Sequence, residues 1–260
     1  MSIFLIIIVS QSNWLIFNYN FSMKIAVLTF TYPKDAGKAV ISHSMLPKDW
    51  DHYWCIESKD KDMPFPEGVK PLILDFPRGQ HLNVVESIEG MQRAYIQLID
   101  MGYDVVIKMD SDVSLFKPQC FVDPIITSGV DFCYVRRTPD ECKEGLCNGS
   151  CYAMSKKAIN QLRNQDLSVI AAFREGHEDL IFSHFFLIKC PFLLISQINK
   201  FKIDWCVYRY NEADTIMGHY GYISLKDMYI RTMEILNKNN SILDIDYIEK
   251  YIDTLNSFLQ

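Results

Sequence analysis

Asp104-Val105-Val106-Ile107-Lys108-Met109-Asp110-Ser111-Asp112-Val113 is the stretch on which the reading of the fold turns. Its apolar centre has the length of a strand and almost no alternation, the pattern of a strand covered on both faces in a parallel sheet. The run ends in two carboxylates one residue apart. On an extended backbone, positions two apart project to the same side, so Asp110 and Asp112 can share a ligand. Open α/β sheets gather their ligands at the C-terminal ends of their strands, which is where this pair falls. Adjacent like charges at the end of a buried strand are costly unless a cation neutralises them. Carboxylate oxygens suit Mg²⁺ or Mn²⁺. A plainer alternative has both side chains capping the strand in water, and these residues alone leave the two readings open.

Working outward, the apolar run Lys24–Thr31 predicts a first strand, followed by a Thr-Tyr-Pro-Lys-Asp loop and a helix from Ala36 to Met45. His52–Glu57 and Val69–Asp75 read as strands, and His81–Met101 as an amphipathic helix with apolar positions at Val84, Val85, Ile88, Met91, Tyr95, Leu98 and Ile99. Strands alternating with helices imply a mostly parallel sheet joined by right-handed crossovers. Further strands are expected at Val130–Arg136, Cys151–Met154, Phe192–Ser196 and Lys202–Tyr208. A helix capped by Ser155, another from Glu178 to Leu187, and two C-terminal helices over Leu225–Lys238 and Asp244–Leu259 complete the chain. The expected fold is α/β, a mostly parallel central sheet flanked by helices.

Of the 260 residues, 49% are hydrophobic and 22% charged, enough apolar mass for a sizeable core. The net charge of −6 argues against a nucleic-acid partner, which calls for a basic face. Several of the eight cysteines (Cys55, Cys133, Cys190, Cys206) lie in apolar runs and read as reduced, buried thiols. Cys142, Cys147 and Cys151 cluster, but their spacing matches no zinc pair. Ile3–Val9 and Trp14–Phe17 are apolar but interrupted by Ser10-Gln11-Ser12-Asn13, too broken for a membrane span and lacking the parts of a signal peptide. Residues 1–22 are therefore expected to be an extension outside the native fold and residues 23–260 the domain. That reading places the protein in the cytoplasm; a signal-anchor on a lumenal enzyme is its competitor.

A strand ending in Asp-x-Asp-x-Val also suits a haloacid-dehalogenase-like phosphatase, with Asp110 as nucleophile. That family's early motif position and later Gly-Asp-x-x-x-Asp segment are not found here. Three segments in order carry a different resemblance: Lys108-Met109-Asp110-Ser111-Asp112-Val113, Cys147-Asn148-Gly149-Ser150-Cys151-Tyr152-Ala153-Met154-Ser155, and Gly176-His177-Glu178-Asp179-Leu180-Ile181-Phe182. From Met23 to about Gly221 the chain resembles GT-A (Rossmann-like) glycosyltransferases, notably the beta-1,3-galactosyltransferase-like group. It departs from them in having one glycine, Gly149, in the second segment, and Ser111 within the Asp-x-Asp.

The resemblance implies a single GT-A domain that transfers a sugar from a nucleotide diphosphate sugar, a UDP-sugar in first place, to an acceptor hydroxyl. It implies Asp110 and Asp112 on Mn²⁺ or Mg²⁺, with Ser111 beside the donor and Gly149 in a turn between donor and acceptor. It further implies Asp179 as the general base with Glu178 helping to place the acceptor, and hence inversion. Capping of a helix start by Glu178 and Asp179 is the competing reading of that pair. His219, in Met217-Gly218-His219-Tyr220-Gly221, resembles the late histidine that completes the metal site, or is a structural histidine. Thr29, Thr31 and Tyr32 are the candidates for base and ribose, with Asp75 and Arg78 at the third strand's end, ordinary turn residues being the competing reading; Arg93 can reach a phosphate or is a solvated helix residue. A non-catalytic sugar-nucleotide-binding protein is the other alternative.

Overall fold

The computed structural model describes residues 3–7, 15–19, 23–75, 84–136, 147–173, 178–198, 203–205, 215–221 and 223–260. Strands β1 (Ile3–Ile7) and β2 (Leu15–Tyr19) pair antiparallel with each other as a separate two-stranded sheet. Then come β3 (Ile25–Phe30), α1 (Ala36–Ser44), β4 (Asp51–Glu57), β5 (Val69–Leu74), α2 (Val84–Asp100) and β6 (Val105–Asp110). β7 (Val113–Leu115), α3 (Gln119–Ser128), β8 (Phe132–Arg136), β9 (Cys147–Ser155), α4 (Lys156–Asn160), α5 (Ser168–Phe173) and α6 (Glu178–His184) follow. The chain closes with β10 (Ile195–Ile198), β11 (Ile203–Trp205), β12 (Met217–His219), α7 (Leu225–Lys238) and α8 (Ile245–Leu259).

The main sheet has seven strands in the order β10-β8-β9-β6-β3-β4-β5, and β9 alone runs against the rest. β6 lies between β9 and β3, where Val105, Val106 and Ile107 are completely buried and Met109 nearly so. Burial of each such side chain contributes roughly 1.5–3 kcal/mol, which is why an apolar strand of this kind settles at the centre. One face packs Leu28, Phe30 and Val106 against Tyr95, Leu98, Tyr152 and Phe182; the other packs Val27, Ile107 and Met109 against Phe121, Val122 and Ile125. A third cluster joins α1, α7 and α8 through Val40, Trp54, Met228, Ile248 and Tyr251.

Three differences from the sequence expectation matter. β9 starts at Cys147 rather than Cys151 and is antiparallel, with Cys147 and Cys151 buried in it and neither in a disulfide. Cys142 lies outside the described residues. Helix α3, which holds Pro124 in its interior, has no counterpart in the sequence expectation. The strand expected at Phe192–Ser196 begins instead at Ile195, beside β8, and α6 ends in a π-helical turn over Phe185–Lys189. Only Ile203–Trp205 of the strand expected at Lys202–Tyr208 is described. No helix among the described residues is long and apolar enough to cross a membrane.

Candidate active site

β6 delivers Asp110 to the C-terminal edge of the sheet, and the chain turns through Ser111 and Asp112 into β7. β7 pairs antiparallel with β12, setting His219 opposite Val113, next door to Asp112. The Tyr220 N–H then donates to the Asp112 carbonyl at 2.9 Å and locks the register. Asp110, Asp112 and His219 each offer a ligand atom, and these atoms lie within 4.8 Å of one another. His219 Nε2 is 3.5 Å from Asp112 Oδ1, a buried oxygen with no hydrogen-bond partner. Buried carboxylate oxygens are normally satisfied, so this one is open to a further partner. Gly221 closes the loop over the pair: a Cβ there would sit 3.1 Å from Asp112 Oδ2 and 3.6 Å from His219 Nε2. Two carboxylates and an imidazole at this spacing fit a divalent cation.

A second group adjoins it on the face of β6 that carries Val106. Lys108, 1% exposed, donates from Nζ to Asp110 Oδ1 at 2.5 Å and to the Gly149 carbonyl on β9. Its Nζ also lies 5.7 Å from the Tyr152 ring centroid. Asp179, buried at the start of α6, accepts from the Gly149 N–H through Oδ2 and from the Leu180 N–H through Oδ1, both at 2.9 Å. Gly149 is obligatory, since an added Cβ would overlap Asp179 Cβ and lie 2.9 Å from its Cγ. Glu178 opens the same helix half-buried. Burial first, then the charges of Asp110 and Asp179, push its carboxyl pKa up against the pull of Lys108. Burial works against the charge on Lys108, yet Asp110, Glu178 and Asp179 outweigh it and raise its pKa. For Asp110, burial and Asp112 raise the pKa against the pull of Lys108.

The other expected residues spread along the same edge of the sheet. Thr29 is buried within β3, paired in register with Met109, one residue before the strand's end. Thr31 follows the strand, 1% exposed, and its Oγ1 has no hydrogen-bond partner. Ser111 is buried beside it, its carbonyl taking the Ser42 hydroxyl at 3.3 Å. Tyr32 lines a cleft with Asp35, Glu57, Lys59, Asp60 and Leu259. Glu57 and Lys59 continue into a second cleft with Asp75 and Arg93, where Arg93 Nη2 donates to the Asp75 carbonyl at 3.0 Å and Ser58 donates to the Asp75 carboxylate. Arg78 lies outside the described residues. The residue that sequence reasoning passed over is Lys108. Its signal was a lone charge in an apolar run, two positions before Asp110 and hence on the same face of the strand.

The site thus belongs to the class in which a mostly parallel α/β sheet presents an acidic, cation-competent cluster at its C-terminal edge. No known family profile and no curated protein sequence matches the chain. Among solved structures, it is similar to a glycosyltransferase involved in glycosylation of the major capsid of PBCV-1, at 12% identity and TM-score 0.49, covering 81% of this chain and 99% of that one. Mouse xyloside xylosyltransferase 1 matches at 10% identity and TM-score 0.47, with 77% of this chain and 98% of that chain covered. The galactosyltransferase LgtC matches at 10% identity and TM-score 0.49, with 80% and 95% covered.

Proposed function

We propose that the chain is a metal-dependent GT-A glycosyltransferase that moves a sugar from a nucleotide diphosphate sugar to a hydroxyl. The observation that carries this reading is the meeting of Asp110, Asp112 and His219 around the unsatisfied Asp112 Oδ1 at the C-terminal edge of the sheet. Mn²⁺ or Mg²⁺ held there would offset the charge that builds on a departing diphosphate. The first-strand loop serves the nucleoside: Tyr32, which lines the cleft, offers a ring to the base, and the buried hydroxyl of the neighbouring Thr31 offers a polar group. Asp75 and Arg93, at the end of β5 and on α2, border the adjoining cleft on the donor side.

Acceptor chemistry falls to the start of α6, beyond Gly149. Asp179 is the base and Glu178 its helper, in an inverting displacement; removal of a hydroxyl proton in the transition state supplies typically 10² to 10⁴ in rate. One observation favours a second assignment: both Asp179 oxygens already accept backbone N–H groups, whereas Glu178 is the more exposed carboxylate. Asp179→Asn and Glu178→Gln separate the two, since the variant that removes the base loses kcat while donor affinity stays near wild type.

The test of the whole reading is hydrolysis and transfer from a panel of UDP-sugars with Mn²⁺, against a chelator control and a phosphatase substrate. Turnover that requires cation supports it. Donor binding without turnover would leave a sugar-nucleotide-binding protein, and phosphate-ester hydrolysis would put Asp110 in the nucleophile's place.

A further inference from the structure

The strongest unassigned feature is the ammonium of Lys108. The strand around it is built from Val105, Val106, Ile107 and Met109, and at 1% exposure an apolar side chain would fill its place with no desolvation cost. The charge is instead tied at two points. Nζ holds Asp110 Oδ1 at 2.5 Å and, from the same position, the Gly149 carbonyl on β9, which is the residue whose N–H binds Asp179. Behind it stands the Tyr152 ring, whose hydroxyl is bonded to that of Tyr95 at 2.7 Å, so the lysine has little freedom to swing.

We propose that Lys108 is a positioning residue for the cation site: by occupying Asp110 Oδ1 and anchoring it to the Gly149 carbonyl, it restricts Asp110 to ligation through Oδ2. The inference rests on the reading that Asp110, Asp112 and His219 hold a divalent cation. A carboxylate confined to one oxygen takes one coordination position and leaves more for substrate oxygens. It also disfavours Ca²⁺, which accepts two-oxygen carboxylates and large shells, relative to Mg²⁺, which demands near-octahedral geometry with single-oxygen ligands. The same lysine puts a positive charge beside the site and so holds cation affinity down.

The experiment is calorimetric titration of the metal-free full chain with Mg²⁺, Mn²⁺ and Ca²⁺ for wild type, Lys108→Met and Lys108→Gln, with thermal melting as the check of folding. Lys108→Met frees both Asp110 oxygens and removes the charge. Ca²⁺ should then bind roughly tenfold tighter or more, with a smaller gain for Mg²⁺, so the Ca²⁺/Mg²⁺ affinity ratio rises. Lys108→Gln keeps donors for Asp110 and Gly149 without the charge; all three ions should bind tighter while the ratio stays near wild type. An unchanged ratio in a folded Lys108→Met protein overturns the positioning role. If that variant does not melt cooperatively, Lys108→Gln decides: a raised Ca²⁺/Mg²⁺ ratio despite the retained donors, or no gain in affinity for any ion, overturns it. A wild-type chain that binds none of the three ions overturns the cation reading itself, and with it the role of Lys108, which separates the two failures.

Discussion

Gly149→Ala is the sharpest probe of how β9 meets α6. The new methyl would overlap Asp179 Cβ and stand 2.9 Å from Cγ and 3.1 Å from Oδ2. Asp179 is 4% exposed and cannot swing aside without releasing the Gly149 N–H or the Leu180 N–H, each held at 2.9 Å. Overpacking of this kind costs about 1–3 kcal/mol, and loss of a backbone hydrogen bond to a charged group about 1.5–3 kcal/mol. The two costs overlap, because moving Asp179 relieves one by paying the other, so the expected loss is about 2–4 kcal/mol. Urea unfolding followed by circular dichroism measures it, with Tm expected to fall on the order of 5–12 °C. Asp179→Gly removes the Cβ that the methyl would overlap, so the double variant should be no less stable than Asp179→Gly alone, a coupling of at least about 1 kcal/mol. A Gly149→Ala protein within about 0.5 kcal/mol of wild type, or a double variant whose losses simply add, would refute the geometry.

Asp110→Asn and Asp112→Asn should each abolish transfer and cation binding together; Mn²⁺-dependent turnover persisting in both would sink the metal assignment. His219→Ala should lose less and recover partly in excess Mn²⁺, so insensitivity to metal concentration would return this histidine to a structural role. His52, on β4, packs against His43 with ring centroids 4.4 Å apart and bonds to it through Nδ1. Burial, then the neighbouring His43, pushes the His52 pKa down from 6.5 to about 4. The unfolded chain therefore binds this proton more readily. The associated stability, on the order of 3 kcal/mol, is complete above pH 6.5 and lost as pH falls from 6.5 towards 4. Replacing His52 with Phe should flatten unfolding free energy across that window; an unchanged slope would place the acid sensitivity elsewhere. We also propose that deleting residues 1–22 leaves a folded, active protein, and cooperative melting plus turnover of the truncated chain checks this.

Much of the scaffold was readable because its signals are local. β3, β4, β5 and β6 are apolar runs of strand length, and the helices α1, α2, α7 and α8 show a period near 3.6 with caps such as Ser224 and Asp244, whose side chains accept from the Asp227 and Tyr247 N–H groups. Where local signals conflict, the structure departs from the expectation: α3 forms with Pro124, a residue that normally breaks a helix, in its interior, and a polar, cysteine-bearing stretch supplies the first half of β9.

By itself, then, the sequence determined that a buried central strand ends in Asp110 and Asp112, because hydrophobic periodicity and residue spacing act over a few residues. Only the tertiary structure decided what surrounds them. His219 reaches Asp112 through the pairing of β7 with β12, a long-range register that no local pattern encodes. Lys108 meets Asp110 and the Gly149 carbonyl because β9 runs antiparallel beside β6. Asp179 finds the Gly149 N–H because α6 packs its first turn onto that strand. Each of these contacts depends on chain segments that burial of apolar surface brings together from distant positions, and burial is a property of the folded whole.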